Sequence, residues 1–180
     1  MTKTLKDIYT NNAIPALRKE FSITNVMAIP RVLKVVVNTG VGRTHKDEVL
    51  MKKVERDMGL LTGQKASPRK ALKSVASFKV REGEIVGYAV TLRGTRMWDF
   101  LTRLNALALP LSKDFRGIET TNVDTAGNLN LGIREHSIFP EINLENIKDV
   151  FGLQVTVVTS AGNHERGLAL FRQLGFPFKK

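Results

Sequence analysis

Apolar positions recur along this chain with two different periods, and the period decides the element. Leu5, Ile8, Tyr9, Leu17 and Phe21 fall at helical spacing, which predicts a helix over about 4–20, opened by a Thr4/Asp7 capping box and either kinked or restarted at Pro15. From Arg31 the period changes to two. Leu33, Val35 and Val37 then share one face of a strand, and Lys34, Val36 and Asn38 share the other. Gly40 and Gly42 turn the chain into a helix from Lys46 to about Thr62, with Leu50, Val54, Met58 and Leu61 on one side and Gly63 as its C-cap. Gln64 to Ala71 reads as a strand that Pro68 confines to an edge or a bulge, and Leu72 to Glu84 as a long hairpin tip.

Further strands follow at Ile85–Arg93, Leu129–Arg134 and Leu153–Ser160. In the first of these Val86, Tyr88, Val90 and Leu92 point inward, while Gly87, Ala89, Thr91 and Arg93 point outward. Thr95 is placed to cap a helix with Met97, Phe100, Leu101, Leu104 and Ala108 as its stripe, ended by Pro110. Asp114 to Asn128 has no period and reads as a long loop, and His136 to Phe151 has none either. A last helix runs from about Asn163 to Leu174, with Gly175 and Pro177 beyond it. This order lacks a regular βαβ alternation. It predicts one α+β domain over residues 1–180: a mainly antiparallel sheet of four to five strands, helices on one face and the other face open. Lys34, Asn38, Thr91, Arg93, Asn130, Arg134, Gln154 and Thr156 line that open face.

Charge adds the chemistry. Twenty-eight Lys and Arg against 17 Asp and Glu give a net +11, which points to nucleic acid, an anionic membrane or an acidic partner. The densest stretch, Gly63 to Arg81, holds Lys65, Arg69, Lys70, Lys73, Lys79 and Arg81 with no acid among them. Like charges crowded in sequence repel unless an anion sits among them, so a polyphosphate partner is favoured over a solvated hairpin with incidental lysines. The open face has a bland reading too, since antiparallel sheets commonly wet one side. Against it stand Gly87, Ala89 and Gly132, poor strand formers that mark close approach by a backbone or ligand. Phe78 can stack on a base or pack back on its hairpin.

Other chemistry finds little support. The chain has no cysteine, and His45, His136 and His164 lie far apart, each reading as a surface or turn residue, so no metal site is expected. Asn38 to Gly42 sits between a strand and a helix, but His45 occupies the third glycine position of a dinucleotide loop. A nucleotide-dependent RNA-modifying enzyme using that turn is the runner-up; Trp98 reads as partial packing. No membrane span, signal peptide, cofactor or homo-oligomer is expected, and the cytoplasm is the expected compartment.

Four blocks carry a resemblance: Asn25–Gly42 (NVMAIPRVLKVVVNTGVG), Leu61–Ala66 (LTGQKA), Gly87–Gly94 (GYAVTLRG) and Gly175–Phe178 (GFPF). In them the chain resembles bacterial large-subunit ribosomal protein five, the carrier of 5S ribosomal RNA in the central protuberance. The resemblance implies a structural, non-catalytic protein whose concave sheet face grips 5S rRNA through Lys34, Asn38, Thr39, Gln64, Lys65, Ser67, Arg69, Thr91 and Arg93. It further implies neighbouring large-subunit rRNA and proteins as partners. A hairpin tip is implied to reach P-site tRNA with Ser74, Ser77, Phe78, Lys79 and Arg81. A bridge to small-subunit protein thirteen is implied at Leu111, Lys113, Asp114, Arg116, Arg134 and Glu141. Where that family tends to begin the last helix with an acid-rich run, this chain has Gly162 to Gly167, with a helix-weakening Gly167.

Overall fold

The computed structural model describes residues 4–42, 48–112, 115–142 and 150–179. The helical elements are α1 (Leu5–Ile8), α2 (Ile14–Glu20), α3 (Glu48–Thr62), α4 (Gly94–Arg103), α5 (Leu109–Leu111) and α6 (His164–Gln173). The strands are β1 (Val32–Gly40), β2 (Ser67–Lys70), β3 (Ile85–Leu92), β4 (Leu129–Ile133) and β5 (Leu153–Thr159). They form one open antiparallel sheet in the order β2-β3-β1-β5-β4, as the α+β reading requires. The expected start of the second helix at Lys46 lies outside the described residues.

Two compact units divide the chain. The first comprises Met1–Val35, Arg93–Leu131 and Thr156–Lys180. Its core gathers Leu17, Phe100, Leu101, Leu104, Leu170, Phe171 and Leu174, all 1% exposed or less. Thr4 and Asp7 make the anticipated capping box, with Asp7 accepting from the Thr4 backbone at 3.1 Å. Trp98 stacks on Tyr9 at 5.6 Å between ring centroids, and the Tyr9 hydroxyl donates to the Pro30 carbonyl at 3.1 Å.

Neither helix proline acts as a stop. Each follows a π-helical turn, Tyr9–Ala13 ahead of Pro15 and Leu104–Ala108 ahead of Pro110. The Ile14 amide donates to Tyr9 O and the Leu109 amide to Leu104 O, five residues back. The chain thus shifts its hydrogen-bond register just before a residue that has no amide hydrogen and whose ring crowds the carbonyl four back. Pro110 therefore sits inside α5 rather than ending the helix, which corrects the sequence expectation. Thr95 is likewise not the cap: α4 starts at Gly94, where φ is +60°, after Arg93.

Within the stretch expected to be a long loop, Ile118 and Glu119 are tied to the C-terminal segment. The Ile118 amide donates to Pro177 O at 2.7 Å and the Lys179 amide to Ile118 O at 2.8 Å, while Lys179 Nζ meets Glu119 at 2.6 Å. At β1 the alternation slips by one residue. Val32 is 7% exposed and Leu33 38%, so Leu33 faces out where period two alone sends it inward.

The second unit comprises Val36–Leu92 and Gly132–Val155. Here α3 packs on β3, and Val54, Met58, Leu61, Tyr88, Val90 and Leu92 are all buried. The strand β2 is an edge strand with all four residues exposed; it pairs antiparallel with β3, Ser67 opposite Ala89, and is irregular between Arg69 and Lys70. Pro68 fits there because an edge residue need not donate to a ladder.

Candidate nucleic-acid interface

In the second unit, alternation along β1 and β3 turns Val37, Tyr88, Val90 and Leu92 toward the covered side and leaves Asn38 exposed and Thr91 half-buried on the other; Ala89, expected to lie open beside them, is only 6% exposed. Asn38 and Gln154 are exposed, and their side chains make no hydrogen bond among the described residues. Gln64 is half-buried and donates its amide to Thr91 O at 3.2 Å. Ser67 and Arg69 stand exposed on β2. Gly87 has a reason internal to the protein: a Cβ there would lie 2.6 Å from the Thr39 carbonyl oxygen. The close neighbour is a backbone, and the small row at this point is a requirement of strand packing.

Thr39 departs from its expected place. It is 2% exposed and its hydroxyl donates to Gly152 O at 2.8 Å, so its side chain is covered and committed. Lys65 also differs in its surroundings. Its ammonium lies 3.7 Å from Glu55 of α3, an acid that the local sequence does not contain. With the Lys65 side chain 87% exposed, that pair is solvated and contributes little, which leaves the cation available.

The segment from Ala71 to Glu84 is a built hairpin tip. Ala71 and Glu84 exchange backbone bonds with their neighbours across it, Val75 pairs with Val80, and the Glu82 amide donates to Ser74 Oγ at 2.9 Å. Lys79 takes a left-handed conformation at φ +52° to close the tip. Ser77, Lys79 and Arg81 are exposed, as is Phe78 at 74%, so Phe78 does not pack back on its hairpin. A cleft of about 1130 Å³ runs beneath it, lined by Gly40–Gly42, Lys73, Val75, Phe78, Lys79 and Phe151 among others.

In the first unit, Lys34 is half-buried on β1 and Arg93 is exposed at the end of β3. On β4 and β5 the Thr156 hydroxyl donates to Asn130 Oδ1 at 2.8 Å, a cross-strand pair that commits the hydroxyl hydrogen. Among the residues implied for a subunit bridge, Leu111 is 60% exposed, Arg116 and Arg134 are exposed and Glu141 is half-buried. Lys113 and Asp114 lie outside the described residues.

His136 is no surface residue. It is 4% exposed and stacks on Phe151 with centroids 3.9 Å apart; its Nδ1 accepts from the Phe151 amide at 3.3 Å and its Nε2 lies 3.6 Å from Asp57 Oδ2. With Nδ1 accepting, the neutral ring carries its hydrogen on Nε2, facing the carboxylate. Burial holds its pKa below the usual value of 6.5, against the opposing pull of Asp57. The unfolded chain therefore takes up the proton first as pH falls below 6.5, and stability present above that value is lost toward acid, by at most about 1.4 kcal/mol per pH unit. Urea midpoints at pH 7.5 and 5.0 should fall less for His136→Phe than for the wild type; parallel falls would assign the titration elsewhere. His164 stands at the start of α6 with Nδ1 3.1 Å from Val123 O, and His45 lies outside the described residues.

Among the described residues no three His, Asp or Glu gather as a metal site, and no helix is long and apolar enough to cross a membrane. An antiparallel sheet with an open hydrogen-bonding face and a cationic finger defines a basic α+β binding protein, of a kind suited to RNA. Residues 25–81 match Ribosomal protein L5 and residues 85–178 match the ribosomal L5P family C-terminus. The chain belongs to the ribosomal protein L5 family: it is a structural, non-enzymatic protein of the large ribosomal subunit that binds 5S rRNA.

Proposed function

We propose that the open sheet face is the surface that holds 5S rRNA, in a protein of bacterial type working in the cytoplasm and helping to attach that RNA in the central protuberance. The observation that carries this reading is the pair of amides, Asn38 and Gln154, exposed and without a hydrogen bond among the described residues on the face that also presents Lys34 and Thr91. Asn38, Gln64, Ser67 and Thr91 offer hydrogen bonds to sugars and base edges, while Lys34, Lys65, Arg69 and Arg93 neutralise phosphates. Thr39 serves the same end indirectly, by fixing β1 against Gly152.

The hairpin tip, with Ser74, Ser77, Phe78, Lys79 and Arg81, reaches P-site tRNA, and its exposure and charge support that role. Leu111, Arg116, Arg134 and Glu141, with Lys113 and Asp114, meet small-subunit protein thirteen. Each phosphate contact releases counterions, so Lys65→Ala should flatten the log–log salt dependence of 5S rRNA affinity by about one unit. Titrations at several salt concentrations read this directly. An unchanged slope would remove Lys65 from the phosphate contacts.

A further inference from the structure

We infer that a hollow at the Asn38 end of the open face is a seat for one unstacked base of the bound RNA, read by Asn38 and Gln154. This rests on the assignment of the open face to 5S rRNA and narrows it to a single subsite. The hollow is a shallow, open depression of about 420 Å³ within the second unit, bounded by Asn38, Gly40, Gly132, Arg134, Gly152 and Gln154. Its volume falls in the range of small-ligand sites.

The two amides are the recognising groups. Each presents a donor and an acceptor side by side, the complement of a base edge, and neither is used within the protein among the described residues. The floor explains why the ligand is a base. A Cβ at Gly40 or Gly132 would meet nothing within 4 Å, and neither glycine has a positive φ. They differ in this from Gly87, held to glycine by Thr39 O at 2.6 Å, and from Gly152, where a Cβ would come 3.2 Å from Ile133 O. Glycine within a strand costs roughly 0.5–1 kcal/mol relative to alanine, and nothing in the packing of this protein demands it at Gly132. What the missing side chains leave is bare, open backbone between the flanking amides. A base inside a continuous helix exposes only a groove edge and cannot descend to such a floor; a nucleotide splayed from a loop or bulge lays its whole face there.

The test uses the intact protein and full-length 5S rRNA. Gly132→Val fills the hollow with a strand-favouring residue and should keep the wild-type melting temperature. It should bind about tenfold more weakly, the scale of one well-matched base contact. Base-specific chemical probing should find one unpaired nucleotide shielded by the wild type and reactive again with Gly132→Val and with Gln154→Ala, while all other shielding persists. An RNA abasic at that nucleotide should lose affinity for the wild type and lose almost none for Gly132→Val. Unchanged affinity and shielding with folded Gly132→Val would overturn the subsite, and so would loss of shielding across the whole RNA. Failure of the open-face assignment looks different: there the wild type shields the RNA, but Ala89→Leu, elsewhere on the same face, binds as well as the wild type.

Discussion

Ala89→Leu is expected to keep the fold at some cost in stability and to bind 5S rRNA at least tenfold more weakly than the wild type, a binding loss of about 1.4 kcal/mol or more. Ala89 lies on β3, flanked by β2 with Ser67 directly opposite it, and is followed two residues on by Thr91. Its side chain alternates with those of Tyr88 and Val90, but Ala89 is itself only 6% exposed, so a leucine there must push aside the groups that cover it. The larger apolar group is then forced up among the polar and charged side chains of that side of the sheet. RNA held off by that group loses contacts on either side of it, which is why the effect should exceed that of removing any one cation. Paired measurements of thermal unfolding and affinity check this. Wild-type affinity in a folded variant would take this part of the sheet out of the interface.

The largest stability effect is expected at Gly167→Ala, and its direction opposes helix propensity. Alanine is better than glycine inside a helix by about 1 kcal/mol. Yet a Cβ on Gly167 would lie 2.5 Å from Gly127 Cα and 2.6 Å from Gly127 O. Gly127 cannot retreat: its φ is +82°, its amide donates to Asp124 O at 3.0 Å and its carbonyl accepts from the Thr159 hydroxyl at 2.7 Å. Crowding of backbone against backbone costs about 1–3 kcal/mol and at this distance belongs at the upper end. A net loss of about 2 kcal/mol should follow, lowering Tm by roughly 4–8 °C for a chain of this size. A scanning-calorimetry Tm equal to or above that of the wild type would show that propensity wins.

That pair also shows where reading the chain in one dimension runs out. The unusual start of the last helix looks like a weakness in sequence, since nothing local tells that Gly127 lies against Gly167. The Asn163 side chain still caps α6, accepting from the Arg166 amide at 2.9 Å. Strands and helical stripes were legible because each has one apolar side and a fixed period, and the burial of Val54, Met58, Phe100, Leu101 and Leu104 follows that pattern. The covered position of Thr39 was legible as well: alternation that sends Val37 inward sends Thr39 with it. Three things had no period to reveal them. His136 is buried by an aperiodic segment folding onto Asp57, Glu55 reaches Lys65 only through the packing of α3, and the slip at Leu33 adds one residue to a strand's phase. The hollow floored by Gly40 and Gly132 draws on three strands, so its parts are scattered in sequence even though each glycine is conspicuous alone.

The wide turns ahead of Pro15 and Pro110 have a consequence for how such a chain can change length. Each turn holds one residue more than a regular spiral would, and the side chains after it take their bearing from that surplus. Deleting a single residue from Tyr9–Ala13 would swing everything beyond by about 100°, carrying Leu17 from the interior toward water and driving a neighbour inward. Proline and surplus residue are therefore coupled, and a viable descendant must acquire or discard the two as one step.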